Sequence, residues 1–254
     1  MTGASSGIGA EFARRLASRG MHLVLVARRK DLLEKLSDEL HTAHGTKCEI
    51  IVCDLSNATQ RAAMVAEIAK RNITIELLIN NAGFAYVGEI ETTNLQRIRE
   101  MVQLNIEALT ELAYIYLQGM MQRGHGAVLN VASVASFQPI AYMGVYAASK
   151  AYVLHFSEAM WAEAREKGVT VTALCPGTTQ TEFFDVAGAK NFLAKQRSQT
   201  PEEVVRCGLR ALEKKRQYTV SGWINYILTL AVRLANRRTV VRESMKYFRP
   251  AKPK

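Results

Sequence analysis

The chain has 254 residues, 48% hydrophobic and 22% charged, with 33 Lys and Arg against 23 Asp and Glu for a formal charge of +10. That length supports one large core without a linker, and the balance of apolar and charged residues excludes both a disulfide-stapled miniprotein and a disordered polyelectrolyte. The cysteines at 48, 53, 175 and 207 form no Cys-x-x-Cys pair and the five histidines show no zinc-ligand spacing. No metal is therefore expected, and the thiols read as core residues of a reducing, cytoplasmic compartment in a sequence with no evident signal peptide.

The opening Thr2-Gly3-Ala4-Ser5-Ser6-Gly7-Ile8-Gly9 runs directly into a helix-forming stretch, 10–18. Glycines let the backbone turn tightly and approach a phosphate, while the free N–H groups and positive dipole of a helix start stabilise an anion. A glycine-rich helix start without a ligand is the alternative. The next element, an apolar strand at 22–27, ends in Arg28 and Arg29. A dinucleotide site that takes NAD usually offers a carboxylate there for the ribose hydroxyl, whereas arginine suits a 2′-phosphate. NADP(H) is thus the favoured cofactor and Arg28 its expected phosphate contact, against the alternative of a solvated charge run.

Further strands are predicted at 48–53, 77–79, 127–131, 169–175 and 218–220, with helices near 31–44, 57–71, 95–121, 143–166 and 201–214. Such alternation predicts an α/β fold, a doubly wound parallel sheet with helices on both faces, as one domain over 1–254. In the helix 143–166, Tyr146 and Lys150 stand four apart and share a face. An unperturbed tyrosine titrates near ~10, and a neighbouring ammonium favours the phenolate, bringing proton exchange with an alcohol or ketone oxygen within reach.

These residues together resemble the short-chain dehydrogenase/reductase family, in its single-domain branch of about the present length. The landmarks are Thr2-Gly3-x-x-x-Gly7-x-Gly9, Asp54-Leu55, Asn80-Asn81-Ala82-Gly83, Asn105, Ser133, Tyr146-x-x-x-Lys150, and Pro176-Gly177 followed by Thr181, in family order over residues 2–181. The resemblance implies a Rossmann fold in which Tyr146 is the general acid of ketone reduction or the base of alcohol oxidation. Lys150 would hold the nicotinamide ribose and depress the Tyr146 pKa, Ser133 would hydrogen-bond the substrate oxygen, and Asn105 would help position a relay water. Gly3, Ser5, Ser6, Gly7, Ile8 and Gly9 would cradle the cofactor phosphates. Asp54, with Leu55 beside it, would bind the adenine amino group; Asn81, Ala82 and Gly83 would line the adenosine, and Pro176, Gly177 and Thr181 the nicotinamide. Asn105 also reads as a buried hydrogen-bonding residue, Ser136 competes with Ser133, and Asp54 could cap the following helix with Ser56 and Asn57.

Members of the family begin with an apolar strand before the Thr-Gly motif, and here only Met1 stands there. That strand is central in the order 3-2-1-4-5-6, so omitting it strips its neighbours of hydrogen-bond partners. Such a gap should exceed the ~5–15 kcal/mol of net stability of a domain. The expectation is a fragment or a misassigned start; the alternative is a sheet that closes without its first strand.

Residues 206–254 hold 13 of the 33 Lys and Arg but 2 of the 23 Asp and Glu, so the basicity belongs to this C-terminal extension. Inside it an apolar run, within a helix predicted at 223–235, precedes Arg233, Arg237, Arg238 and Arg242. Apolar and aromatic residues beside arginines describe an interfacial helix able to touch a membrane peripherally, too short for the ~20 residues of a span. The alternative is a substrate-covering or subunit-packing helix. No recognition fold accompanies the charge, so nucleic acid is not an expected partner.

The segment 182–197, with Phe183, Phe184, Phe192 and Leu193 among Lys190, Lys195 and Arg197, reads as an apolar lid that sets substrate choice together with 137–143. The resulting expectation is an NADP(H)-dependent oxidoreductase that interconverts a ketone and a secondary alcohol, reducing a lipophilic, acyl- or steroid-like carbonyl. A non-catalytic NADP(H)-binding sensor or scaffold on the same fold is the rival. The family resemblance further implies a homodimer or homotetramer through helices 95–121 and 143–166.

Overall fold

The computed structural model describes residues 1–188 and 198–250. In chain order the elements are α1 (Gly7–Ala17), β1 (Leu23–Ala27), α2 (Lys30–His44), β2 (Cys48–Val52), α3 (Ala58–Lys70), β3 (Leu77–Asn80), α4 (Leu95–Val102), α5 (Leu109–Arg123), β4 (Ala127–Val131), α6 (Gly144–Arg165), β5 (Thr170–Cys175), α7 (Phe183–Val186), α8 (Pro201–Glu213), β6 (Tyr218–Val220), α9 (Trp223–Leu234) and α10 (Arg237–Phe248). The strands are short apolar runs between helices, and every pairing is parallel, as right-handed strand–helix–strand crossovers dictate. They form two ladders, β1–β2 and β3–β4–β5–β6.

Between the ladders lies the start of the chain. The Met1 ammonium donates to the Val24 carbonyl at 2.6 Å and the Val26 N–H to the Met1 carbonyl at 3.0 Å, while the Thr2 N–H reaches across to Ile79 at 3.0 Å. Met1 and Thr2 thus lie in the slot of the central strand and bond to both neighbours, which gives the doubly wound order.

Helices cover both faces. On one side α1, α2 and α8 bury Phe12, Leu16, Leu33, Leu40 and Leu209 against Leu25, Ile79 and Leu174 of the sheet. On the other, α3, α5 and α6 bury Met64, Leu112, Met120 and Met160 against Val26, Leu78 and Val128. Each such side chain contributes ~1.5–3 kcal/mol on leaving water. Met101 and Ile140 belong to a third cluster, beneath the cleft, in which Tyr146 is buried and against which Phe248 of α10 packs.

The structure divides the helix expected at 95–121. After α4 the chain makes a π-helical turn, Gln103–Ala108, before α5. The wider turn brings Asn105 to full burial. The tail holds two helices where one was expected, the second capped by Asn236 accepting the Arg238 N–H at 2.9 Å. Lys190, Phe192, Leu193, Lys195 and Arg197 of the expected lid lie outside the described residues.

Candidate active site

The turn from Thr2 to α1 is shaped by close approach. Gly3 has φ +65°, and a Cβ there would come within 2.7 Å of the Asn81 amide nitrogen; a Cβ on Gly9 would come within 2.0 Å of the Gly3 carbonyl oxygen. Asn81 braces the turn by donating from its amide to the carbonyls of Thr2 and Gly3, both at 3.1 Å. The Thr2 hydroxyl accepts the N–H groups of Asn81 and Ala82 at 3.0 Å. The glycines therefore leave backbone and the start of α1 exposed to the cavity at this turn, beside the small side chains of Ser5 and Ser6, an arrangement that suits an anionic group.

That cavity is about 990 Å³ and runs from this turn past the ends of the strands to the C-terminal helices. Nearly every candidate residue read from the sequence lines it: Gly3, Ser5, Ser6, Gly7, Ile8, Arg28, Asp54, Leu55, Asn81, Ala82, Gly83, Ser133, Tyr146, Lys150, Pro176, Gly177 and Thr181. Gly9 and Asn105 stand behind the wall. Gly9 serves the close packing of the turn, and Asn105 holds the loop after β3 by accepting the Phe84 N–H at 3.1 Å and donating to the Phe84 carbonyl at 3.0 Å and to Ser149 at 3.1 Å.

Near Arg28, Asn57 rather than Asp54 caps α3, accepting the Gln60 N–H at 3.1 Å. The Asp54 carboxylate accepts from the Ser56 N–H at 3.0 Å and its hydroxyl at 2.7 Å. Burial pushes the Asp54 carboxyl up, but these hydrogen bonds and the positive charge of Arg28 outweigh it and hold the group below its ordinary value. Arg29, which the sequence reading passed over in favour of Arg28, extends to the glycine turn. Its guanidinium donates to Ser6 at 2.7 Å and to Ser5 at 3.2 Å, and pairs with Glu182 at 2.9 Å.

At the other end, Ser133 and Ser136 separate in role. Ser136 donates to the Lys150 carbonyl at 2.7 Å and is turned toward α6, whereas Ser133 lines the cavity, its hydroxyl accepting the Ala135 N–H at 3.1 Å and acting on Tyr146 to lower its pKa. Lys150 donates to the Val131 carbonyl at 2.8 Å, with its nitrogen 5.9 Å from the centre of the Tyr146 ring. Burial lowers the Lys150 pKa to about 8. Burial also pushes Tyr146 up to about 12, against the pull of the Ser133 hydrogen bond. The expected depression of Tyr146 by the ammonium is thus not seen: what lowers the group is Ser133, and loss of water around a phenol buried to 7% exposure, with Phe183 packed on it at 5.5 Å, exceeds that pull.

The far wall comes from the tail. Leu228 and Val232 of α9 and Val240, Ser244 and Phe248 of α10 line the cavity opposite Ile140. The Ser244 hydroxyl accepts the Ala141 N–H at 3.0 Å, and a Cβ on Gly177 would come within 2.2 Å of Asn225. So the tail closes the cleft. One position besides Arg29 carries no mark in the sequence. Arg61, 1% exposed, donates to Glu111 at 2.7 Å and to the Leu55 carbonyl at 2.9 Å and also pairs with Glu107, fixing the loop after β2. An arginine inside an amphipathic helix gives no sign of burial; only the two glutamates one turn apart, at 107 and 111, could have hinted at a partner.

The short chain dehydrogenase family pattern matches residues 1–191. A very-long-chain 3-oxoacyl-CoA reductase of Anas platyrhynchos is 29% identical over 238 residues, covering 90% of this chain and 74% of that protein. The human inactive hydroxysteroid dehydrogenase-like protein 1 is 30% identical over 195 residues, or 76% of this chain and 58% of that protein. Among solved structures, a short-chain dehydrogenase from Sphingobium yanoikuyae in complex with NADPH superposes with a TM-score of 0.83 at 32% identity, over 100% of this chain and 97% of that one. The family pattern over residues 1–191 and the shared fold agree, and the chain belongs to the short-chain dehydrogenase/reductase family of Rossmann-fold oxidoreductases.

Proposed function

We propose that the chain is an NADP(H)-dependent oxidoreductase that interconverts a ketone and a secondary alcohol and works as a reductase on a bulky, lipophilic carbonyl. The observation that carries this reading is one cavity with a glycine turn and two arginines at one end and Ser133, Tyr146 and Lys150 toward the other. A bound nicotinamide supplies the hydride. Ser133 donates a hydrogen bond from its hydroxyl to the carbonyl oxygen, and Tyr146 gives its hydroxyl proton to that oxygen as negative charge develops there. A phenol with a pKa of about 12 is fully protonated at neutral pH, which is the form that reduction needs. Lys150, still largely an ammonium below about pH 8, holds the ribose and stabilises the phenolate left behind.

The rival reading, a non-catalytic cofactor sensor, draws on the inactive human relative. A sensor has no need of a proton donor, so the two readings part at one atom. Tyr146→Phe should cut turnover of a model ketone by at least about 100-fold, the scale of general acid catalysis, while leaving the NADPH dissociation constant within a factor of about two. Normal turnover by this variant would defeat the mechanism.

NADP(H) preference is assigned to Arg28 and Arg29, which flank the turn that carries Ser5 and Ser6. Losing a charge-assisted hydrogen bond is worth ~1.5–3 kcal/mol, so Arg28→Ala with Arg29→Ala should weaken NADPH binding about 10–100-fold and leave NADH nearly unchanged in a fluorescence titration. The single variants apportion the effect. The lipophilic substrate class follows from the cavity wall of Ile140, Leu228, Val232, Val240 and Phe248, which suits an acyl chain or a steroid-like ring system.

The exposed aromatic cluster on α5 and α6, in which Phe156 lies 5.8 Å from Tyr114 and 5.5 Å from Tyr152, is assigned to a homodimer or homotetramer contact. Light scattering should give a multiple of the chain mass, and Tyr114→Glu should reduce it.

A further inference from the structure

The two sides of α9 do different things. Ile224, Leu228 and Val232 line the substrate cavity. On a helix of 3.6 residues per turn, Trp223, Tyr226, Ile227, Leu230 and Leu234 gather within an arc of about 100° centred away from those residues. All five are exposed, Trp223 to 72% and Leu234 to 91%. A stripe of this size on the outside of a folded domain calls for a partner.

Charge identifies that partner. Arg237, Arg238 and Arg242 follow the stripe on α10, all exposed, and none has a carboxylate partner among the described residues. The two acidic residues of 206–254 are engaged elsewhere, Glu213 with Arg19 at 2.7 Å and Glu243 with Lys246 at 2.6 Å. A second copy packed symmetrically on this face would bring two sets of these arginines into one contact with no free carboxylate of this segment to pair them, because a two-fold contact apposes the same patch. An anionic lipid surface meets both demands: it takes an apolar stripe with aromatic members at the depth of the headgroups and neutralises the cations beside it.

We propose that the outer face of α9, with the arginines of α10, docks this protein on an anionic phospholipid surface. Among the described residues no helix is long and apolar enough to cross a membrane, so the contact is peripheral. Docked this way, lipid and cavity lie on opposite sides of one helix, about 10 Å apart. That short path suits a lipophilic substrate, a consequence that rests on the substrate class proposed above; the docking itself does not.

The test is sedimentation of the full chain with vesicles of phosphatidylcholine alone and of phosphatidylcholine mixed with phosphatidylglycerol, at low salt and at high salt where screening collapses surface electrostatics. Binding to the anionic vesicles should exceed binding to the neutral ones by about tenfold or more at low salt and fall at high salt. Brominated lipid should quench an emission component that Trp223→Phe removes. Arg237→Gln with Arg238→Gln and Arg242→Gln, and separately Trp223→Ser with Leu234→Ser, should each abolish the preference while NADPH binding persists as the control for folding. Absence of anionic-vesicle binding, or equal binding by the arginine variant, overturns the proposal. So does light scattering in which the Trp223 and Leu234 variant loses mass, which would assign the stripe to a second copy. Each readout is independent of turnover, so failure here and failure of the proposed reaction are distinguishable.

Discussion

The close fit of the turn 3–9 against the end of β3 is the constraint on which the rest depends. Thr2 and Asn81 join the first residues of the chain to the loop after β3 through side-chain hydrogen bonds of 3.0–3.1 Å. Between the ladders, this polar clasp adds side-chain bonds to the backbone bonds that Met1 and Thr2 make there. The same clasp sets the glycine turn and so the direction in which α1 starts. Anion binding and sheet closure are consequently one feature, and a side chain at Gly3 or Gly9 would disturb both.

The chemistry at the other end depends on burial. Desolvation moves Tyr146 up and Lys150 down, each toward its neutral form. Both shifts have the same origin, the cost of placing a charge where Phe183, Met143 and Ile140 exclude water. A buried phenol keeps its proton at neutral pH, and Ser133, which lowers the Tyr146 pKa, supplies a polar contact that the apolar wall lacks. Asn105 acts behind this wall: its amide groups are saturated by Phe84 and Ser149, and the π-helical turn that carries it keeps the loop at Gly83 beside Lys150.

Closure of the cleft falls to the basic tail. Its apolar residues divide between a cavity side and an outer side of α9, and Gly177 leaves room for Asn225 to seat the helix on the loop after β5. One face of the helix thus packs on the body of the domain, while the other face is exposed. One short helix thus bears on substrate shape and on the surroundings of the protein at once.

Tyr146 and Lys150 were legible in the sequence because a helix puts residues four apart on one face, and the glycine turn because only glycine accepts those close contacts; spacing and residue type carry such local facts. The alternation of apolar strands and helices likewise determined the layered parallel fold, since each element must bury one face. Other features are tertiary. An apolar run reads the same whether it faces a cavity, a second copy or a membrane, so the place of α9 came only from packing. The choice between Ser133 and Ser136 depended on which hydroxyl α6 engages, and the reach of Arg29 to Ser6 on a loop folding back across the sheet. The direction of the Tyr146 shift was decided by how much water the assembled wall excludes, a sum over residues distant in the chain that no local spacing records.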